Sequence, residues 1–251
     1  MTTKAPGEET FISHLIELRD RLVKASIGIA LVCGVLMFWP GPSQIYDFIA
    51  APMIASLPVG SKMIATGVIS PFLVPMKVTL VVAFILALPW VLYQLWAFIA
   101  PGLYAHEKRL VAPLVISSSL LFMTGVAFCY FLVFGRVFKF ISDFSPSSIA
   151  VMPDIENYLD FVMSMCLAFG ATFEVPVVVV ILVRMGLVSV SKLKELRSYV
   201  IVGAFVIAAI VTPPDIVSQL SLALPMCLLF ELGLLVAPVF VRATQAPEES
   251  T

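Results

Sequence analysis

The sequence predicts an all-α membrane protein with six transmembrane helices, and three observations lead to this class. The chain has 251 residues, of which 61% are hydrophobic and 12% are charged. Its mean hydropathy of +1.07 lies far above that of an ordinary soluble domain. The charged residues are clustered between long apolar runs, and an apolar run of about 20 residues is what a helix needs to cross a bilayer.

The first element is an amphipathic segment followed by a span. Leu15, Leu18 and Leu22 recur at helical spacing, which predicts that residues 1–21 include an amphipathic helix lying at the membrane surface. The apolar run over residues 22–39 is long enough, at about 1.5 Å per residue, to cross an apolar core of about 30 Å. It is too long for the apolar region of a cleaved signal peptide, so we expect a retained first span.

A long external loop is predicted between the first and second spans. Residues 40–70 are rich in proline and glycine, which indicates an ordered loop with a short helix near residues 44–56. The second span, residues 71–99, contains Pro89 and is long enough to tilt or to kink at that proline. Lys77 lies about two turns into this span, where its side chain can reach the external interface.

A short polar hinge between the second and third spans carries the first candidate site. Pro101 and Gly102 end the preceding helix, because proline cannot continue the hydrogen-bond ladder and glycine tolerates the turn. His106 and Glu107 follow, directly before two cations. Cations set the membrane orientation of a loop and acids contribute little to it, so Glu107 is a candidate for another role.

The third and fourth spans flank a second predicted external loop. The third span covers residues 110–134, the loop residues 135–156 and the fourth span residues 158–184. Asp154, near the end of the loop, is placed to cap the helix that follows. Glu174 lies deep within the apolar run of the fourth span, which makes it the most unusual residue of the transmembrane region.

The fifth and sixth spans are predicted to be short helices. The fifth covers residues 198–212 and the sixth residues 220–236, and both are short for a full bilayer. Such helices imply that the protein thins the bilayer locally or is met there by a partner. Pro213, Pro214 and Asp215 form a rigid external turn between them.

An even number of spans places both termini on one side of the membrane, and the cations indicate which side. Eleven of the fifteen lysine and arginine residues lie on the side of the termini, three lie on the opposite side, and Lys77 lies within a span. By the positive-inside rule both termini are cytoplasmic. The predicted organisation is a cytoplasmic N-terminal amphipathic segment over residues 1–21, a six-span domain over 22–238 and a cytoplasmic tail over 239–251.

Glu174 is the intramembrane candidate for a functional residue. A charge at mid-bilayer costs on the order of 3 kcal/mol even on insertion scales, so such a group normally faces a cavity or a partner. The alternative is a protonated side chain that hydrogen-bonds a neighbouring helix for packing. Glu231, in the sixth span, lies closer to the cytoplasmic end of its helix and can reach the interface there.

Glu17 and Glu107 fall at the predicted cytoplasmic surface, where neither needs to be buried. Two carboxylates on one face can hold a pair of guanidinium groups through bidentate, charge-assisted hydrogen bonds, a geometry that suits arginine better than lysine. The alternative is that each acid pairs with a cation next to it in the chain. The candidate local partners are Arg19, Arg21, Lys108 and Arg109.

The turn before the last helix is a candidate docking site. Asp215 can cap the last helix, and Pro213 and Pro214 can be an ordinary rigid turn. Gln219, one turn further on and in an apolar environment, can instead hydrogen-bond a polar residue on a partner helix. The two interpretations differ in whether the polar side chains are satisfied within this chain or by another one.

Several classes of function find no support in the composition. The net charge of -1 is not gathered on a basic face, so we expect no nucleic-acid binding. The four cysteines lie in apolar segments without a CxxC pair, which predicts neither a disulfide nor a metal site. The sequence has only two histidines, His14 and His106, with no catalytic set and no phosphate-binding loop. We therefore expect no enzyme activity, no cofactor and no metal.

Four groups of residues, in this order along the chain, closely resemble the motifs of the TatC family, the polytopic core subunits of the twin-arginine (Sec-independent) protein translocase. They are His14-Leu15-Ile16-Glu17-Leu18-Arg19, Phe98 to Tyr104 with His106-Glu107-Lys108-Arg109, Phe169-Gly170 with Phe173-Glu174-Val175-Pro176, and Thr212-Pro213-Pro214-Asp215 with Ser218-Gln219. The resemblance covers about residues 10–240.

The resemblance implies a receptor in the bacterial inner membrane that binds the twin-arginine signal peptide of folded proteins. With the single-span partner subunits TatA and TatB it would mediate export of these proteins, driven by the proton gradient. The six helices would form a concave bundle that receives the apolar part of the signal. Several copies of the chain would assemble within a receptor complex.

Carried over residue by residue, the resemblance also implies the roles of individual side chains. Glu17 and Glu107 would contact the paired arginines, with Arg19 and His106 beside them. Glu174 would be the intramembrane polar residue of the concave face. The remaining residues are Asp215, Gln219, Pro213 and Pro214 for docking of partner subunits, and Pro52 for the structure of the first external loop.

Two other classes of function stay open at this point. A proton-coupled small-solute transporter would use Glu174 as its relay and would be expected to contain inverted repeats, of which the sequence shows none. A purely structural scaffold for partner subunits would bind no signal peptide.

Overall fold

The structure is helical over the part of the chain that it describes. It is a computed structural model that describes residues 6–57, 62–99, 111–144, 152–213 and 215–245. Within these ranges the only extended pairing is an isolated parallel bridge between Ile64 and Asp154, which confirms the all-α class. The helices are α1 (Pro6–Phe38), α2 (Pro42–Ser56), α3 (Ser70–Leu86), α4 (Leu88–Ile99), α5 (Val111–Phe128), α6 (Phe134–Phe144), α7 (Ile155–Phe173), α8 (Val175–Arg184), α9 (Val190–Glu195), α10 (Arg197–Val211) and α11 (Ile216–Gln245), with a π-helical turn over Cys129–Val133 between α5 and α6.

Four helical segments of the described chain are long and apolar enough to cross a membrane. They are Ile12–Phe38, Ala112–Phe144, Ile155–Arg184 and Ile216–Val239. A fifth span results if α3 and α4, which are bent by 54° at their junction, are taken together. The remaining predicted span corresponds to α10, a shorter apolar helix of 15 residues. The expected short fifth helix is therefore present, at a length below that of a full span.

The chain divides into two compact units. The first comprises Met1–Pro42 and Thr79–Ser119, and the second comprises Ser43–Val78 and Leu120–Thr251. Each unit is thus assembled from two separate stretches of chain. The predicted segment, six-span domain and tail are defined by membrane side and not by packing, and their boundaries stay predictions.

In the first unit, α1 and α4 pack against each other in antiparallel register. The rings of His14 and Phe98 stack with their centroids 4.4 Å apart. Further along both helices, the indole Nε1 of Trp90 donates to the carbonyl oxygen of Lys24 at 2.9 Å. A Cβ on Gly28 would collide with the Trp90 ring, so the missing side chain is what lets the two helices approach here.

The second unit contains a buried cluster between α8 and α11. It is formed by Val179 from α8, Leu193 from α9, and Phe230, Leu234 and Ala237 from α11. The three α11 residues recur at intervals of four and three positions, which places them on one face of that helix. This face of α11 therefore packs against the two short helices α8 and α9.

Two glycines bring α7 close to the part of α5 that belongs to the second unit. A Cβ on Gly125 would meet the backbone carbonyl oxygen of Phe169, and one on Gly170 would meet the ring of Phe122. Phe169 is completely buried, and its ring centroid lies 5.8 Å from that of Phe128. At Phe169-Gly170, α7 therefore packs against α5 through one large buried side chain followed by a glycine that has no side chain.

Two details of the predicted second span and first loop are confirmed. The predicted loop helix is present as α2, which covers Pro42–Ser56 and begins two residues before the predicted range of 44–56. The break between α3 and α4 lies two residues before Pro89, because a proline at that position cannot donate a hydrogen bond to the carbonyl of Ile85. The bend is thus built into the sequence.

The prediction of a loop over residues 135–156 was wrong for its first part. Residues 134–144 form α6, which continues the third span. Phe134, Val137 and Phe138 are buried, whereas Arg136 and Lys139 are exposed. The charges that indicated a loop therefore lie on the outer face of an amphipathic helix.

The last helix is also longer than predicted. It covers Ile216–Gln245, and its apolar part, Ile216–Val239, has 24 residues. The sixth helix is thus not short, in contrast to α10. It begins four residues earlier than residue 220 because Asp215 caps its first turn, where its Oδ1 accepts from the N–H of Ser218 at 2.7 Å.

Candidate functional site

Glu17 lies on α1, where its partner is Arg21 on the next turn. The NH2 of Arg21 is 3.3 Å from Oε1 of Glu17, and the two side chains are 26% and 36% exposed. The NH1 of Arg21 also donates to Oε1 of Gln94 on α4, at 3.3 Å. Among the described residues, local pairing is therefore observed for Glu17 through one long contact, and its side chain stays partly exposed.

Arg19 does not share this arrangement. Its NH2 lies 2.8 Å from Oδ1 of Asp20, and its side chain is 72% exposed. The partner of Arg19 is thus the next residue in the chain, and Arg21 is the partner of Glu17. A role for Arg19 in signal binding stays a prediction.

The polar hinge lies outside the described residues. Residues 100–110 include His106 and Glu107, so the joint site of Glu17 and Glu107 also stays a prediction. The described chain ends on the near side of the hinge at Ile99, one residue after Phe98. Because Phe98 stacks on His14, the chain enters the hinge beside the end of α1 that carries Glu17.

Gln94 is a site residue that the sequence interpretation missed. Its side chain is only 3% exposed, and its Oε1 accepts the hydrogen bond from Arg21. A single amide in the apolar run Leu88–Ile99 was the available signal, because a buried amide needs a hydrogen-bonding partner.

Glu174 lies at the junction of α7 and α8. Its backbone is helical, with φ -76° and ψ -15°, and its carbonyl oxygen accepts from the N–H of Val178 at 3.0 Å. Pro176 follows in the first turn of α8. An N–H group in a first turn has no acceptor within its own helix, so proline loses no helical hydrogen bond there. The side-chain Oε1 is buried, as expected for both the functional and the packing interpretation.

The turn before α11 places Asp215 and Gln219 one helical turn apart. The N–H of Asp215 donates to the carbonyl oxygen of Pro213 at 2.7 Å, and the capping of α11 by Asp215 is confirmed. The amide Nε2 of Gln219 donates to the carbonyl oxygen of Phe205 on α10, at 3.4 Å. Pro214 lies outside the described residues, so its predicted role is untested.

Two buried polar atoms in this turn have no hydrogen-bonding partner among the described residues. They are Oδ2 of Asp215 and Oγ of Ser218, and Ser218 is completely buried within the chain. Buried polar atoms are normally paired. Both atoms are covered by the chain itself, so a partner outside the chain would reach them only after the turn rearranges.

Glu231 joins α11 to the start of α10. Its Oε2 lies 2.6 Å from NH2 of Arg197, the first residue of α10. Both side chains are partly exposed. The carboxylate that the sequence placed near the interface is therefore one half of an ion pair between two helices.

Pro52 lies inside α2, where it leaves one carbonyl without a helical donor. Proline has no N–H, so the carbonyl oxygen of Phe48 loses its usual partner four residues later. The hydroxyl of Tyr130 donates to this oxygen. One residue on, the hydroxyl of Tyr158 donates to the carbonyl oxygen of Ile49 at 3.1 Å. Two tyrosines from the rest of the second unit thus hold the helix that contains Pro52.

Asp154 joins the two predicted external loops. Its Oδ1 accepts from the N–H groups of Glu156 and Asn157 at 3.0 and 3.1 Å, which confirms the predicted cap. Its Oδ2 accepts from the hydroxyl and the N–H of Thr66 at 2.7 and 3.1 Å. The hydroxyl of Thr66, followed by the backbone N–H of Asn157, holds the pKa of Asp154 below its ordinary value.

The carboxylate of Glu156 extends the same network to α3. It accepts from the hydroxyl of Ser70 at 2.9 Å and pairs with Lys77 at 3.3 Å. Lys77 therefore has a carboxylate partner at the end of its span, where the sequence predicted that it would reach the interface.

No group of three histidine, cysteine, aspartate or glutamate residues in the described ranges could hold a metal ion. The cysteines Cys33, Cys129, Cys166 and Cys227 are free.

Comparison with known proteins shows similarity over most of the chain. A family profile described as "Sec-independent protein translocase protein (TatC)" matches residues 13–225. The chain is 49% identical over 229 residues to Sec-independent protein translocase protein TatC of Haemophilus influenzae, covering 91% of this chain and 89% of that protein. It is 48% identical over 241 residues to the protein of the same name from Escherichia coli K12, covering 96% and 93%.

A solved structure is similar as well. The crystal structure described as a twin-arginine translocase receptor, TatC, superposes with a TM-score of 0.78 at 36% sequence identity. The similarity covers 90% of this chain and 98% of the solved one.

Proposed function

The chain belongs to the TatC family of Sec-independent protein translocase proteins, and we propose that it is the receptor that binds the paired arginines of export signal peptides. Its cargo would be folded proteins, and the proton gradient would drive their export. The family acts in a translocase with other Tat subunits, of which the single-span TatA and TatB are the proposed direct partners. Several copies of this chain would assemble in the receptor complex.

The observation that carries this proposal is the state of Glu17. Its carboxylate is partly exposed and is held, within the part of the chain that the structure describes, by one contact of 3.3 Å, which leaves lone pairs for an incoming guanidinium group. Glu107 follows Phe98 by nine residues, and Phe98 stacks on His14, which lies three residues before Glu17 on α1. We therefore propose that Glu107 supplies the second carboxylate, with Arg19 and His106 beside it.

We place this site on the cytoplasmic face of the bacterial inner membrane. The support is the excess of eleven cations over three on the side of the two termini, which the positive-inside rule assigns to the cytoplasm. A signal peptide would then meet the two carboxylates before its apolar part enters the membrane.

The turn before α11 is the proposed docking site for single-span partner subunits. Asp215 and Gln219 are both only partly buried, and the hydrogen bond of the Gln219 amide to Phe205 is long, at 3.4 Å. A partner helix in lipid can satisfy such groups by hydrogen bonding across the interface. Glu174 is proposed as a further polar contact within the membrane.

Photo-crosslinking to a signal peptide tests the receptor function. A photoreactive group at Ala105, in the hinge, should crosslink a signal that carries paired arginines and should not crosslink one that carries paired lysines. Glu17→Gln together with Glu107→Gln should abolish the arginine crosslink. Glu195→Gln, which removes an exposed acid paired with Lys192, is the matched control and should leave it unchanged.

Two results would contradict the proposal. An undiminished crosslink in the double variant would remove both acids from the site. A scaffold without receptor function would give no crosslink to either peptide in the unaltered protein. The comparisons do not support the proton-coupled solute transporter, in which Glu174 would be the relay.

A further inference from the structure

Arg21 lies between an acid that the proposed function assigns to the signal peptide and a buried amide. Its NH2 contacts Oε1 of Glu17, and its NH1 contacts Oε1 of Gln94, each at 3.3 Å. The first contact is made within α1 and the second reaches α4 of the same compact unit. A guanidinium group of the protein itself therefore stands where a guanidinium group of the signal is expected.

The contact between Arg21 and Glu17 is longer than other arginine ion pairs of the described chain. It measures 3.3 Å, whereas Arg19–Asp20 measures 2.8 Å and Arg197–Glu231 measures 2.6 Å. Charge-assisted N–H···O bonds usually measure about 2.7 to 2.9 Å. The pair is also made through one nitrogen and one oxygen, so it lacks the two parallel bonds that arginine can form with a carboxylate.

Gln94 explains why the guanidinium group stays near Glu17 despite this weak pair. The amide is 3% exposed, so it is a fixed acceptor on a packed helix. A neutral acceptor orients the guanidinium without satisfying its charge. Arg21 thus makes one contact of 3.3 Å to each acceptor, and it is the burial of Gln94, not a shorter bond, that fixes the position of the guanidinium group.

We propose that Arg21, positioned by Gln94, is an internal competitor that occupies Glu17 until the arginine pair of a signal peptide displaces it. This inference rests on the proposed receptor function and adds a form of regulation to that site. Arg21 lowers the affinity of every incoming cation by the same factor. Only the ligand that gains most from the two acids, an arginine pair with bidentate contacts, then binds tightly enough to be retained.

The competitor also resets the receptor. When the signal leaves Glu17, Arg21 returns from a position that is already close, because Gln94 keeps its guanidinium at the site. After one signal peptide leaves and before the next one arrives, the carboxylate of Glu17 therefore keeps a cation beside it. A signal peptide that has left the site is also less readily bound again.

Binding of a fluorescent twin-arginine signal peptide to the full chain in lipid nanodiscs tests the inference. Arg21→Gln should tighten binding by about two- to sixfold, the factor expected for release of a partly exposed ion pair. Gln94→Met should tighten binding by less, and it should add nothing in an Arg21→Gln background. In a Glu17→Gln background, Arg21→Gln should have no effect, because the contested acceptor is gone.

Lys24→Gln is the matched control. It removes the same charge from the exposed side chain of Lys24, about one turn further along α1, and thereby measures the general repulsion between the protein and a cationic peptide. Arg21→Lys keeps the charge but loses the planar fork, and it should give an intermediate gain. This conservative variant keeps the test valid if Arg21→Gln lowers the yield of folded protein.

The outcomes separate this inference from the proposed function. If Glu17→Gln weakens binding of the arginine peptide but Arg21→Gln tightens it no more than Lys24→Gln does, Arg21 is not a competitor and the receptor function stands. If Arg21→Gln weakens binding, Arg21 supports the site and the inference is wrong. If the unaltered protein binds arginine and lysine peptides equally well, it is the receptor function that fails.

Discussion

The hydroxyl of Tyr130 donates a hydrogen bond to the carbonyl oxygen of Phe48, the acceptor that Pro52 leaves without a helical donor. The two rings also stack, with centroids 5.0 Å apart and planes inclined by 10°. Tyr130 lies in the π-helical turn between α5 and α6. A side chain from this irregular turn therefore supplies the hydrogen bond that the proline in α2 removes. The loop helix α2 is thereby tied to the helices of its own unit.

This relationship predicts coupling between Tyr130 and Pro52. Tyr130→Phe removes the donor and should lower the free energy of unfolding by about 1 kcal/mol. In a Pro52→Ala background the N–H of residue 52 can serve Phe48 instead, so the same change should cost much less. A double-mutant cycle from thermal unfolding in detergent measures the coupling. Equal costs in the two backgrounds would show that the hydroxyl and the missing N–H are unrelated.

Asp154 predicts a specific dependence of stability on pH. Its pKa in the folded protein is lowered from 3.8, so the carboxylate contributes stability that is fully present above this value. The contribution is lost as the pH falls through the lower folded pKa. The melting temperature should therefore be higher for the unaltered protein than for Asp154→Asn at neutral pH, and the difference should shrink in acid. A difference that grows below pH 3.8 would reverse the sign of this argument.

The contact between α5 and α7 predicts a position that tolerates no side chain. Gly125→Ala places a Cβ against the backbone carbonyl oxygen of Phe169, which cannot move without shifting α7. It should therefore lower the free energy of unfolding by about 1 to 3 kcal/mol. Gly135→Ala, in open space on α6, should instead raise it by up to about 1 kcal/mol through helix propensity. Chemical unfolding of both variants checks the contrast.

Gln219 predicts a change in assembly without a change in folding. Among the described residues its side chain makes one hydrogen bond, to the carbonyl oxygen of Phe205 at 3.4 Å, so Gln219→Leu should alter the free energy of unfolding by less than about 0.5 kcal/mol. Recovery of the single-span partners with the purified chain should fall several-fold. Gln44→Leu, the same change on the exposed side of α2, is the control and should leave recovery intact. Full recovery with Gln219→Leu would remove this residue from the docking site.

Local signals in the sequence determined the class of the fold and several of the positions where helices begin or bend. Hydropathy alone indicated a helical membrane protein, because an apolar run has few alternatives in a bilayer. The caps at Asp154 and Asp215 and the bend at Pro89 were also correct, since each depends on residues within one helical turn. The four groups of residues around Glu17, Glu107, Glu174 and Asp215, in this order along the chain, indicated the TatC family. The charges of α6 misled the interpretation, because their meaning depends on which face of the helix is buried.

The tertiary structure alone decided which side chains meet. Arg21 and Gln94 are 73 residues apart in the chain, Phe48 and Tyr130 are 82 apart, and Thr66 and Asp154 are 88 apart. Neither helical periodicity nor capping chemistry extends over such separations, so no local pattern could pair these residues. Their contacts depend on how helices distant in sequence approach one another, and that is set by packing against positions such as Gly28 and Gly125, where a missing side chain makes room.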